Sequence, residues 1–180
     1  MAVKNWLLTG KPGIGKTTII RFLVQSLRGK VGGFLTEEIR EKGVRAGFRL
    51  RDLSGGEAIL AHTSFPGPHR VGRYGVSIEA MKEVGIPALK RAITRSDLIV
   101  IDEIGKMELF CPAFQQAILE ALDSVRPVLG VLQERPSALS QRIEARGDTR
   151  TITVTFENRE RLGPGLLQDL QAHLNGIGQH

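Results

Sequence analysis

Residues Gly10-Lys11-Pro12-Gly13-Ile14-Gly15-Lys16-Thr17 fit the pattern G-x-x-x-x-G-K-[ST] at every fixed position. No other stretch limits the fold as strongly, because this octapeptide has a mechanism only between a strand and a helix. Both flanks comply. Val3 to Thr9 is a mostly apolar run of strand length, and Ile19, Ile20, Leu23 and Leu27 recur at helical spacing before a stop at Gly29. In that setting the glycines let successive backbone N–H groups curl around a β-phosphate, while the helix N-terminus adds a partial positive charge. Lys16 is then expected to bridge β- and γ-phosphates, and the Thr17 hydroxyl to ligate Mg²⁺.

Strand-length apolar segments alternate with helical ones along the remaining chain, the signature of a mostly parallel sheet covered by helices. Val31 to Leu35 reads as a second strand. Val44, Ala46, Phe48 and Leu50 alternate with Arg45, Arg49 and Arg51, predicting an antiparallel strand whose partner is Glu57 to Ala61. Residues 62 to 76, with Pro66, Gly67, Pro68, Gly72 and Gly75, read as a long surface loop. Helices are expected from Ser77 and again from Pro87, around Phe114 to Leu122, from Pro136 to Ile143, and through Leu166 to Leu174. Leu98 to Ile101 and Pro127 to Leu132 read as buried strands, and Thr151 to Thr155 closes the sheet. At 180 residues the chain holds one domain's worth of core, so residues 1–180 are expected to form a single α/β domain.

A phosphate loop of this kind needs a second carboxylate to organise the metal, at the end of a buried neighbouring strand. Leu98-Ile99-Val100-Ile101-Asp102-Glu103 supplies it in Asp102. Glu103, beside that aspartate, is placed to orient and polarise a water for attack on the γ-phosphorus. In switch-type GTP-binding proteins that role usually falls to a glutamine elsewhere, so Asp-Glu favours an ATPase-like hydrolytic design.

Three stretches, Gly33 to Arg40, Asp102-Glu103-Ile104-Gly105-Lys106-Met107-Glu108-Leu109 and Asn158-Arg159, carry a resemblance. From about residue 3 to 174 the chain resembles the THEP family of small P-loop nucleoside-triphosphatases. The resemblance implies a RecA-like core, with one strand between the two Walker strands and a small antiparallel β-hairpin insertion. It also implies slow, Mg²⁺-dependent hydrolysis of a broad set of nucleoside triphosphates (ATP, GTP, CTP and UTP). Carried over residue by residue, it makes Gly10, Lys11, Pro12, Gly13, Ile14, Gly15, Lys16, Thr17 and Thr18 the nucleotide cradle, Asp102 the metal-organising acid and Glu103 the base. Lys106 and Glu108 match the extended motif without an assigned step. Glu37 and Glu38 face the same cleft or are solvated hairpin ends. Asn158 and Arg159 match the family position near the base, with a helix cap by Asn158 as the competing reading.

Transition-state charge calls for a cation beyond Lys16. Arg70 and Arg73 on the long loop and Arg135 after the strand Pro127 to Leu132 are the candidates. The balance of 25 basic against 19 acidic side chains points to an anionic partner, and 17 of the basic residues are arginines, suited to forked phosphate recognition. A nucleoside, nucleotide or polynucleotide kinase is the first alternative, with 62–76 as its only candidate lid. An ATP-regulated RNA-binding module is the second, disfavoured because one tyrosine and one tryptophan offer little base stacking. No run reaches the roughly eighteen apolar residues of a membrane span. The single cysteine, Cys111, and a first strand that leaves no room for a leader make a cytoplasmic setting the expectation.

Overall fold

The computed structural model describes residues 2–177, and its strands form one nine-stranded sheet. Five strands run parallel: β1 (Asn5–Thr9), the first part of β2 (Val31–Glu41), β7 (Leu98–Ile104), β8 (Val128–Leu132) and β9 (Thr149–Thr153). Their spatial order is β2-β7-β8-β1-β9. One strand, β8, therefore separates the phosphate-loop strand from the strand carrying Asp102, as the family resemblance implies. Antiparallel strands β3 (Val44–Asp52), β4 (Glu57–His62), β6 (Tyr74–Val76) and β5 (Arg70–Val71) continue the same sheet beyond β2.

The period-two rule divides each central strand between two cores. Leu7, Ile99 and Ile101 pack with Leu89 and Phe114, whereas Trp6, Leu8, Leu98 and Val100 pack with Ile20, Leu23, Leu166 and Leu170. Complete burial of such a side chain contributes roughly 1.5–3 kcal/mol. The first face is covered by α3 (Ile86–Arg95), α4 (Pro112–Asp123) and α5 (Ala138–Glu144), and the second by α1 (Lys16–Ser26) and α6 (Arg159–Ile177).

Three segments differ from the sequence expectation. β2 runs six residues past Leu35, because its polar continuation is tied across the ladder: Glu37 pairs with Arg51 at 3.4 Å and Glu38 with Arg45. The expected loop 62–76 instead contains the small edge hairpin β5–β6, attached through Ala61 opposite Val76 and turning at Gly72 with φ 58°. The two expected helices after Ser77 form one path. Ser77 caps α2 (Ile78–Ala80) by accepting from the Ala80 N–H at 3.1 Å, and a π-turn over Met81–Gly85 leads into α3. Proline has no N–H to give, and the wider turn lets Pro87 sit inside the path at the start of α3.

Candidate active site

Residues 10–15 connect β1 to α1 at the carboxyl edge of the parallel strands, the edge at which open α/β sheets bind ligands. Ile14, 4% exposed, anchors the loop in the core, and Gly10, Gly13 and Gly15 all take positive φ values (133°, 78° and 110°). Gly10 also admits no side chain, since a Cβ there would lie 2.7 Å from the Val154 carbonyl oxygen. Lys11 and Pro12 lie exposed in the loop, and Lys16, Thr17 and Thr18 form the first turn of α1. No acidic residue and no capping side chain occupy that turn, so its N–H groups are left for an anion. The Lys16 ammonium donates to the Gly10 and Lys11 carbonyl oxygens at 2.5 and 3.0 Å.

Asp102 and Glu103 stand where the β7–β8 register breaks, between Ile101 and Ile104. Asp102 is 1% exposed. Its Oδ1 accepts from the Thr17 hydroxyl at 3.4 Å, Thr36 donates to its main-chain oxygen, and its Oδ2 is buried with no partner. Burial, assisted by the neighbouring Glu103 charge, pushes the Asp102 carboxyl up to about 7 against the pull of Thr17 and Arg21. Glu103, half-buried, is raised by burial and held back by the Lys16 charge. A hydroxyl and a carboxylate oxygen lacking a partner suit a hard cation, and Mg²⁺ usually takes few protein ligands alongside substrate phosphates. No cluster of three His, Cys, Asp or Glu side chains that could hold a metal by itself occurs among the described residues.

Glu108 is the third carboxyl here and, like Asp102, is buried. Burial and the Glu103 and Asp102 charges lift it to about 7, while its Oε2 accepts from the Gly105 N–H at 2.7 Å. Gln133, just beyond β8, accepts from the Lys106 N–H at 3.1 Å, so two successive N–H groups of the turn after Glu103 are held by side chains. Glu37 turns towards α1 and pairs with Arg21 at 3.4 Å, whereas Glu38 pairs with Arg40 and Arg45. Arg21, one turn beyond Thr17, thus joins Glu37 to the field around Asp102. Sequence reasoning missed it, although the i, i+4 spacing from Thr17 was a signal.

The three candidate arginines divide between the β5–β6 hairpin and the loop after β8, the strand between β1 and β7. Arg70, on β5, has six strands between it and β1 in the sheet order, while His69 beside it packs on Phe110, with ring centres 5.2 Å apart, just after Glu108. Arg70 donates to the Phe65 and Arg73 carbonyl oxygens, and Arg73 to that of Arg45. Arg135 is exposed in the loop after β8. Asn158 turns its amide inward, accepting from the Thr155 N–H and donating to the Thr153 carbonyl, both at 2.9 Å. Arg159 begins α6 with its guanidinium 5.1 Å from the Phe156 ring centre. A cavity of about 400 Å³ at the β3–β4 turn, lined by Arg51 to Leu53 and Gly55 to Glu57, includes neither phosphate-loop residues nor the β7 carboxylates.

Residues 5–167 match the family described as NTPase. The chain is 47% identical to nucleoside-triphosphatase THEP1 of Thermofilum pendens, covering 94% of this chain and 97% of that protein. It is 40% identical to nucleoside-triphosphatase THEP1 of Thermotoga maritima, covering 87% and 89%. The crystal structure of THEP1 from the hyperthermophile Aquifex aeolicus superposes with a TM-score of 0.84 at 33% identity, over 93% of this chain and 99% of that one. A solution structure of a human cancer-related nucleoside triphosphatase gives 0.79 at 35% identity, over 95% and 98%.

Proposed function

The chain belongs to the NTPase family of P-loop nucleoside-triphosphatases, and from that premise we propose that it hydrolyses the γ-phosphate anhydride of nucleoside triphosphates, slowly, with Mg²⁺ and with broad tolerance of the base. Residues 1–180 act in this reading as one domain, since every group invoked sits on one sheet. The observation that carries the proposal is the pairing of Thr17 with Asp102 beside the partnerless Asp102 Oδ2, with Glu103 next in the chain and Lys16 next to Thr17.

In this mechanism Gly10 to Thr18 hold the triphosphate through backbone N–H groups and the helix N-terminus. Lys16 exchanges its loop carbonyls for the β- and γ-phosphate oxygens. Thr17 and Asp102 would hold Mg²⁺, which when bound supplies neutralising charge on the phosphate oxygens. Glu103, ionised, accepts a proton from the attacking water as its oxygen closes on the γ-phosphorus. The bond to the β–γ bridging oxygen breaks, giving nucleoside diphosphate and phosphate. Glu108 and Gln133 fix the Gly105 and Lys106 backbone and so keep Glu103 aimed.

Slow turnover follows from the cations. Arg21 is engaged by Glu37, and Arg70 and Arg73 are bound to backbone, which leaves Arg135 as the remaining candidate, and an arginine on the exposed loop after β8 is poorly preorganised for the γ-phosphate. The 62–76 segment is tied down as the β5–β6 hairpin, with His69 packed on Phe110 at 5.2 Å between ring centres, and supplies no long lid of the kind a kinase closes over its acceptor, which favours water. Exchange of Glu103 for glutamine tests the base: Mg·ATP binding should persist while phosphate release falls at least about 100-fold. Unchanged release in E103Q would remove the assignment.

A further inference from the structure

The groups described so far account for the phosphate end of a nucleotide, while the two residues expected near the base, Asn158 and Arg159, turn to backbone and to the Phe156 ring and leave open what the base itself rests on. Direction follows from the sheet. The γ-phosphate must point to Asp102 and Glu103 on β7, two strands from β1 on one side, so the nucleoside end extends to the other side, towards β9. The loop 154–158 leaves β9 there. It touches the phosphate loop directly: the Val154 N–H donates to the Thr9 carbonyl at 2.8 Å, and the Val154 carbonyl oxygen closes on Gly10.

At the tip of this loop Phe156 is 70% exposed. A solitary exposed phenylalanine elsewhere on a surface needs no explanation. Here its presentation is built. The Asn158 amide, two residues after Phe156, reaches back to the backbone of Thr153 and Thr155 ahead of it and so closes the loop that carries the ring. Arg159 covers the ring at 5.1 Å, a cation–π contact that steadies it and adds a positive group beside it. We propose that Phe156 is the stacking platform for the nucleobase, with Asn158 and Arg159 acting as positioning residues behind it. This inference rests on the nucleoside-triphosphatase reading above and deepens it. A phenyl ring has no donor or acceptor, and every base has a π-face, so a site of this kind accepts purines and pyrimidines alike.

F156A should raise KM for ATP, GTP, CTP and UTP, each by about tenfold, with kcat within about twofold of wild type. Inhibition by inorganic tripolyphosphate, which has no base, should be unchanged. In F156W, addition of ATP or UTP with Mg²⁺ should quench emission above the response of wild type, whose Trp6 is buried, and tripolyphosphate should not. KM values unchanged in F156A, tripolyphosphate inhibition weakened in step with the nucleotides, or F156W emission indifferent to ATP would each overturn the proposal. The F156W titration needs no turnover, so it decides the stacking even if wild type releases no phosphate and the hydrolase reading fails.

Discussion

Replacing Asp102 with asparagine should stabilise the metal-free protein in a pH-dependent way while disabling it. Asp102 is 1% exposed, and its carboxyl is lifted by burial and by the Glu103 charge from the ordinary aspartate value of 3.8 to about 7. The folded protein therefore keeps a proton that the unfolded chain releases near 3.8, and the folded state loses stability as pH rises between those two values. At 1.36 kcal/mol per pH unit the full cost is about 4 kcal/mol above pH 7, of which about 2–3 kcal/mol accrues above pH 5. Asparagine does not titrate. Its amide can still accept from Thr17, and any cost of the added N–H donors, about 1–3 kcal/mol, is the same at every pH. Thermal unfolding in EDTA at pH 5 and pH 8 isolates the titrating part. Relative to wild type, the D102N melting temperature should rise by about 5–10 °C between the two, taking about 2–4 °C per kcal/mol at this size. Mg²⁺ with ATP should add stability to wild type and much less to D102N. A D102N–wild-type difference equal at both pH values would refute the buried-charge reasoning.

Three further predictions follow from individual contacts. G10A should lower stability by about 1–3 kcal/mol and weaken Mg·ATP binding, because φ 133° and the Val154 carbonyl both oppose a Cβ; G147A, with nothing within 4 Å, is the neutral control. R91A should cost about 2 kcal/mol in urea unfolding with KM for ATP unchanged, since it strips the guanidinium from Asp52, 2% exposed, far from the phosphate loop. The pH profile of kcat/KM should show an acidic limb above the ordinary glutamate value of 4.5, falling as Glu103 of the free enzyme is protonated, and a limb at or below 4.5 would count against Glu103 as the base.

Fold and site differed in how far their sequence signals reached. The phosphate loop and Leu98 to Glu103 were legible because local chemistry dictates them: positive-φ glycines before a helix, and an apolar strand buried on both faces before two carboxylates. The second half of β2 was not legible, because its polar residues are held by cross-strand ion pairs with β3 that no single-strand pattern reveals. Arg21 was hidden for a related reason, since only the extension of β2 brings Glu37 against α1. The 62–76 segment read as loop because its strands are two and three residues long, too short for periodicity. Phe156 sits singly in a loop, where no repeat marks it, and the approach of that loop to Gly10 through Val154 appears only once β9 pairs with β1.

The measurement that bears most directly on the central claim is phosphate release from ATP, GTP, CTP and UTP by wild type and E103Q, each with Mg²⁺ and with EDTA. The account predicts slow release of comparable rate from all four nucleotides, lost in EDTA and reduced at least about 100-fold in E103Q despite retained Mg·ATP binding. Release that persists in EDTA, or that E103Q performs at the wild-type rate, would contradict it.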